Sequence, residues 1–288
     1  MLNNGSGSSL REHQGACLVL LNEFDRVCKE LNITYVLFAG TLLGAVRHQG
    51  FIPWDDDLDI LMSRKDYELF ISNADRFLDN KFFLQREFSD HWPMFFSKLR
   101  LNGTTCMEKY HAKDKKEHHG IYIDIFPYDN AANTKFARKM QFFASKIVIA
   151  KSLDKRGYET DSFLKKLFII VCKLVPKRVF IKIAKSKNGD SEYVHTFFAA
   201  SSDFEKNVFL RKHFEEKELI AFEGKEYLVP KLFDEILKKL YGNYMVLPSE
   251  EERSIKKHAV FVDTKNSYES HLDFYKEFKI DNYTKSIR

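Results

Sequence analysis

The chain has 288 residues, 44% of them hydrophobic and 30% charged, with 27 Phe, 13 Tyr and a formal net charge of +5. That composition excludes general disorder and predicts an extensive aromatic core in one large domain or two modest ones. Cys17, Cys28, Cys106 and Cys172 show no CxxC or CxxH spacing, which argues against a zinc site or redox pair and for reduced, buried thiols.

Asn3 to Ser9 is polar and Gly/Ser-rich, with no basic stretch leading into an apolar one, so a cytoplasmic location is expected. Leu10 to Leu31 places Leu18, Leu21, Phe24, Val27, Cys28 and Leu31 at three- and four-residue steps, which predicts an amphipathic helix. Thr34 to Ala39 is short, β-branched and aromatic and runs into Gly40, the pattern of a buried strand feeding a turn, with helix-compatible Leu42 to Arg47 directly after. A second strand at Leu58 to Met62 leads into a helix over Arg64 to Asp79, and Phe82 to Arg86, Phe95 to Leu101 and Gly120 to Pro127 read as further strands. From Pro127 to about Lys187 the pattern is helical, with three helices separated near Gly157 and Pro176. Short strands at Tyr193 to Ala200 and Glu226 to Val229, a helix over Lys231 to Tyr241 and a polar tail containing Arg253 and His258 complete the chain. The order predicts an α/β (α+β) protein: a flexible tail at 1–9, a catalytic core at 10–133, a basic helical subdomain at 134–190 and a mixed segment completing the site at 191–288.

The run Trp54-Asp55-Asp56-Asp57-Leu58-Asp59-Ile60 crowds four carboxylates into five positions beside Ile52, Leu58, Ile60 and Leu61. Like charges so close repel, and desolvating them costs several kcal/mol, so the run calls for a divalent cation. On a strand Asp57 and Asp59 share one face while Leu58 and Ile60 enter the core. Asp124, alternating with Ile123 and Ile125, adds a third oxygen ligand if its strand lies beside the first. Three carboxylates suit Mg²⁺, with Mn²⁺ as a substitute, the remaining ligands coming from water and substrate phosphate. Gly40-Thr41, between a strand and a helix, fits phosphate binding by backbone N–H groups. An EF-hand is excluded because Ile60 stands where the loop needs Gly. A nucleotide-sugar glycosyltransferase is disfavoured because only one helix and one strand precede Gly40.

The stretch from Ala39 to Ile60, AGTLLGAVRHQGFIPWDDDLDI, resembles the signature of the LicD family, as do the His-rich approach to a Gly-x-x-x-Asp-Ile-Phe-Pro strand at His118 to Pro127 and the Tyr-Gly-x-Tyr-Met-x-x-Pro segment at Tyr241 to Pro248. The resemblance implies a nucleotidyltransferase-like mixed sheet with flanking helices. It also implies Mg²⁺-dependent transfer of a phosphorylated alcohol from a CDP-alcohol, most often phosphocholine from CDP-choline, to a glycan hydroxyl. The acceptor would be a teichoic acid, lipopolysaccharide or capsule precursor; fukutin-like relatives use CDP-ribitol. The family's Gly-Ser turn is Gly40-Thr41 here, which keeps the hydroxyl. Asp57, Asp59 and Asp124 would hold the metal and carry the chemistry, with Gly40, Thr41, Arg47, His48, Lys98 and His119 contacting the donor.

Several of these residues also have plain readings. Asp55 and Asp56 either orient a water or an arginine or cap the turn; Arg47 and His48 either contact phosphate or pair with those acids. Lys98 and Arg100 either face phosphates or lie on a solvated face, and His118 and His119 either serve the acceptor and its proton or are loop residues. Trp54 either stacks on cytosine, boxes a quaternary ammonium, or belongs to the core.

Between Thr134 and Lys187 there are 15 Lys or Arg against 3 Asp or Glu, around an apolar run at Phe163 to Val175 too short to span a bilayer. The block is either a solvated helical face or a surface that lies on an anionic inner leaflet, making the protein peripheral there. Nucleic acid is not an expected partner, because no RNA-binding motif accompanies the charge. Rival functions are a nucleotidyltransferase that moves an NMP from an NTP to a small molecule or RNA, and a non-catalytic membrane-associated binding protein.

Overall fold

In the computed structural model, which describes residues 7–108, 117–155, 160–185, 191–198, 203–255 and 258–272, Ser9 caps the first helix. Its hydroxyl accepts the Glu12 N–H while the Glu12 carboxylate accepts the Ser9 N–H, a capping box that opens α1 (Leu10–Glu30). The Ser8 N–H donates to the Val262 carbonyl at 2.8 Å, so residues 7–9 of the expected flexible tail are tied down; residues 1–6 lie outside the described residues. Leu20, Leu21, Phe24 and Val27 of α1 are fully buried.

The expected strand at 34–39 contracts to β1 (Val36–Leu37), and α2 (Ala39–His48) begins three residues before Leu42. Phe38 is extended and Ala39 has φ 46°, so the chain turns into the helix within one residue. Gly40 and Thr41 therefore stand in the first turn of α2. After β2 (Asp59–Ser63) come α3 (Arg64–Asn73), β3 (Phe82–Gln85), β4 (Ser97–Leu101), β5 (Thr105–Glu108) and β6 (Tyr122–Asn130). The basic block forms α4 (Lys135–Lys155), α5 (Phe163–Lys173) and α6 (Lys177–Ala184). The break at Pro176 is present; Gly157, Lys187 and Ala200 lie outside the described residues. Then follow β7 (Tyr193–His195), β8 (Val208–Leu210), β9 (Lys217–Phe222), β10 (Lys225–Pro230), α7 (Phe233–Tyr241), α8 (Glu250–Ile255) and β11 (Ala259–Asp263).

The main sheet has seven strands in the order β1-β2-β6-β4-β3, with β7 on β6 and β8 on β7. Only the β2–β6 pair within it is parallel. α1 packs on β4 and β6, and α3 on β2 and β6, which covers one face. Alternation along β6 sends Ile123 and Ile125, both fully buried, toward those helices and Tyr122, Asp124 and Phe126 toward a cleft on the other face. The fold class is thus the expected mixture of helices around a mixed sheet.

β5, β8, β9, β11 and α8 were not expected. β11 pairs with β5, and β9 with β10, as separate two-stranded ribbons. Such short, charge-bearing ribbons give little hydrophobic alternation to read.

Gly44 is required by close approach: a Cβ there would meet the Gly50 carbonyl oxygen at 2.5 Å and the Ile52 nitrogen at 3.2 Å. This contact sets the loop that leads into the acidic run against α2. Gly44→Ala is expected to destabilise the fold by about 1–3 kcal/mol through overpacking, visible as a lowered midpoint in thermal denaturation; an unchanged midpoint would refute this packing role.

Candidate active site

The parallel pairing of β2 with β6 sets Asp59 opposite Asp124, and the antiparallel pairing of β6 with β4 sets Asp124 opposite Lys98. Adjacent strands lie about 4.8 Å apart, so carboxylate, carboxylate and ammonium stand in one row on the open face. Asp57, two residues before Asp59, shares that face; the intervening Leu58 and Ile60 just beyond are fully buried. The row lines a cavity of about 1090 Å³, together with Gly40, Arg47, Trp54 and His258.

Each acid is held by its own contact. Gln14 of α1 donates to the Asp55 carbonyl at 2.9 Å and clamps the acidic loop to the helix. Asp56, buried, accepts the N–H groups of His258 and Ala259 at 2.9 Å. That latch brings the His258 ring within 3.3 Å of the Asp57 carboxylate. Thr41 is buried, and its hydroxyl accepts the Asp59 N–H at 2.8 Å. A Cβ at Gly40 would stand 2.9 Å from an Asp55 carboxylate oxygen. Gly40 and Thr41 thus position the acidic run, and Gly40, in the first turn of α2, lines the cavity beside the carboxylates.

Lys98 is fully buried. Its Nζ lies 3.0 Å from Glu108 and 3.4 Å from Asp124, and 3.2 Å from the centroid of the Tyr122 ring. The Tyr122 hydroxyl donates to Glu108 at 2.9 Å. Lys98 is therefore a cation built into the wall, not a lysine on a solvated face. Arg100 is fully buried as well and donates to the Gln85 side chain and the Gly120 carbonyl.

Burial raises the pKa of all three site carboxylates. Asp59 is pushed well above the usual carboxylate range by burial, then by the charges of Asp57 and Asp124. Asp57 is raised by burial, with His258 pulling it back. Asp124 is pushed up to about 6 by burial, against the pull of Lys98. Its buried Oδ1 makes no hydrogen bond and stands 3.4 Å from the Lys98 ammonium. Such a set of repelling, desolvated oxygens is what a divalent cation relieves. Among the described residues, however, no three His, Cys, Asp or Glu side chains form a group that could by itself hold a metal. The carboxylates fit a cation as an open donor set, one that substrate oxygens complete.

The other expected residues divide between the cavity wall and its surroundings. Arg47 lines the cavity and donates to the Tyr244 carbonyl at 2.7 Å and to His48 at 2.9 Å. His48 does not line it and meets Trp54 edge-on. Trp54 carries Arg253 over its ring at 4.4 Å. His119 is buried away from the cavity, against Tyr268. His118 stacks on Phe83 and accepts the Gly120 N–H, its pKa pushed down to about 3 by burial and Arg100. Both histidines shape the turn into β6. Sequence reasoning missed Glu108, on an unexpected strand, and the positions of His258 and Asn243 in the lining.

A mixed sheet that sets a row of acids beside a buried lysine in a large cleft defines an α+β protein with a charged catalytic-type site. Residues 32–152 match the family described as LicD/FKTN/FKRP, nucleotidyltransferase domain. The chain is 30% identical over 264 residues to the lipopolysaccharide cholinephosphotransferase LicD of Haemophilus influenzae, a match covering 85% of this chain and 94% of that protein. A 47-residue match at 51% identity, 16% of this chain and 18% of the relative, links it to an uncharacterized protein of Rickettsia prowazekii. The chain belongs to the LicD family.

A carboxylate whose pKa rises on folding takes up protons in the native state between its unfolded and folded pKa. Its burial therefore costs stability progressively as pH rises through that window, and fully above it. For Asp124 the window runs from 3.8 to about 6. In EDTA at pH 7.5, Asp124→Asn is expected to raise the thermal midpoint, by on the order of 1–3 kcal/mol of stability, and the gain should vanish at pH 3.5. A midpoint lowered at pH 7.5 would contradict this.

Proposed function

We propose that this protein transfers phosphocholine from CDP-choline to a hydroxyl of a cell-surface glycan, as on lipopolysaccharide, and releases CMP. The observation that carries the reading is the row of Asp59, Asp124 and Lys98 in a cavity of about 1090 Å³, a volume suited to a nucleotide-sized ligand. The kinship with a lipopolysaccharide cholinephosphotransferase supports it. The cavity's aromatic wall, with Phe95, Tyr241 and Tyr244, favours choline over ribitol or glycerol, because ring faces attract a quaternary ammonium while polyols require hydrogen-bond partners.

Asp57, Asp59 and one oxygen of Asp124 would hold Mg²⁺ or Mn²⁺. When bound, that cation neutralises the donor diphosphate and polarises the reacting phosphoryl group. Lys98, fixed between Glu108 and Asp124, adds positive charge where the CMP phosphate departs. Arg47 at the rim serves the nucleotide phosphates. The acceptor oxygen attacks the phosphorus bearing choline, the bond from that phosphorus to the bridging oxygen breaks, and CMP leaves with the bridging oxygen. The acceptor proton passes to the remaining oxygen of Asp124, which lines the cavity.

Purified protein incubated with a glycan acceptor and CDP-choline, CDP-ribitol or CDP-glycerol is expected to release CMP from CDP-choline, and to lose that activity in EDTA. Asp57→Asn and Asp59→Asn should each lower the rate by roughly 10²–10³-fold or more while leaving the circular dichroism spectrum unchanged. Pyrophosphate release from an NTP in place of CMP release would replace this reading with nucleotidyl transfer. Stability and ligand binding indifferent to both substitutions would favour a non-catalytic protein.

A further inference from the structure

α5 inverts the usual arrangement of a surface helix. Phe163, Leu164, Leu167, Ile170, Val171 and Leu174 recur at helical spacing along one stripe, and every one is exposed: Phe163 and Leu164 at 75%, Leu174 at 85%. Phe136, Met140 and Phe143 of α4 and Val179 and Ile183 of α6 are exposed as well. Soluble proteins rarely leave an apolar stripe of this length in water unless it has an occupant.

The stripe is held in place by construction. Cys172, the buried residue of α5, packs on Ile147 and Ala150 of α4. Lys151 of α4 donates to the carbonyls of Cys172, Lys173 and Val175, each at 2.9 Å, and so satisfies the C-terminal end of α5. The face turned outward is thus the one left after the other has been fastened.

Its surroundings are basic. Lys165, Lys166 and Lys173 on α5, Lys139 on α4, and Arg178 and Lys182 on α6 are all exposed. Among the described residues of the block, Asp154 and Asp161 are the acids, and Asp154 is paired with Lys173 at 3.0 Å. A second copy of the chain docking isologously would set these lysines against each other. An anionic bilayer matches both features, since apolar side chains enter the acyl boundary while lysines meet the headgroups.

We propose that α4, α5 and α6 form a docking face for an anionic lipid bilayer, with the α5 stripe inserted into the interface. No described helix is long and apolar enough to cross a membrane, so the contact is peripheral. Leu153 of α4 lines the catalytic cavity, so the docking unit is also a wall of the site. The binding itself does not depend on what the site transfers; its use, access to an acceptor held at the membrane, rests on the proposed function.

Co-sedimentation of the full chain with vesicles of phosphatidylcholine alone, or with 30% phosphatidylglycerol, tests this, alongside light scattering for mass. The chain is expected to bind the anionic vesicles and to release at 0.5 M salt. Leu164→Glu/Leu167→Glu and, separately, Lys165→Glu/Lys166→Glu should each weaken binding at least about tenfold, with thermal midpoint and CMP release from soluble substrates unchanged. Failure of the wild-type chain to bind anionic vesicles overturns the proposal, whether it is then a monomer or a dimer that Leu164→Glu/Leu167→Glu dissociates. Equal binding by the variants overturns it too. Loss of CMP release with vesicle binding retained would instead defeat the proposed function alone.

Discussion

The structure turns on one electrostatic arrangement, the placement of Asp59 directly beside Asp124 across the parallel β2–β6 pair. Two carboxylates in adjacent strands, with Asp57 on the same face, repel in a medium that screens poorly. The protein answers with fixed positive charge and fixed dipoles. Lys98 stands on the far side of Asp124, itself held by Glu108 and the face of Tyr122. Thr41 orients the Asp59 backbone, and the first turn of α2 points its positive end into the same cleft. What these groups leave uncompensated, shown by the raised pKa values of Asp59 and Asp124, is the attraction available for a cation and a diphosphate.

The core makes that arrangement tolerable. Leu58, Ile60, Ile123 and Ile125 alternate with the acids and are fully buried, so the apolar half of each strand anchors it while the polar half is strained by charge. This division explains why a site so unfavourable in isolation sits on the middle strands of the sheet instead of an exposed loop. Rigid neighbours on both sides keep the carboxylates from separating, which a mobile segment would permit.

Much of this was legible in the sequence because period-two alternation is a local signal. Asp57 and Asp59 sharing a face, and Asp124 set between isoleucines, follow from strand geometry once the strands are recognised. The parallel register that joins them was only conditional in the sequence, since pairing depends on chain topology. Thr41 and Gly40 were visible as residues but not in their roles: a hydroxyl before a helix can face a phosphate or a neighbouring strand, and tertiary packing chose the strand. Lys98 and Arg100 read equally as phosphate-facing or solvated, because alternating cations on a strand fit either; aromatic faces and Glu108 from an unrecognised ribbon bury them. His118 and His119 stood close to Asp124 in sequence, yet the chain turns between them and the catalytic row.

The C-terminal third shows how a long-range contact completes a local motif. Asp56 contributes little to the cavity itself, but its carboxylate takes the backbone N–H groups of His258 and Ala259, some two hundred residues away. That latch feeds β11 onto β5, places His258 beside Asp57, and sets β11 where Ser8 can pair with Val262. The ribbon so formed carries Glu108, the partner of Lys98. One of the four clustered acids thus serves to assemble the counter-charge that the others require, and this accounts for an acidic run longer than the metal-binding oxygens alone would need.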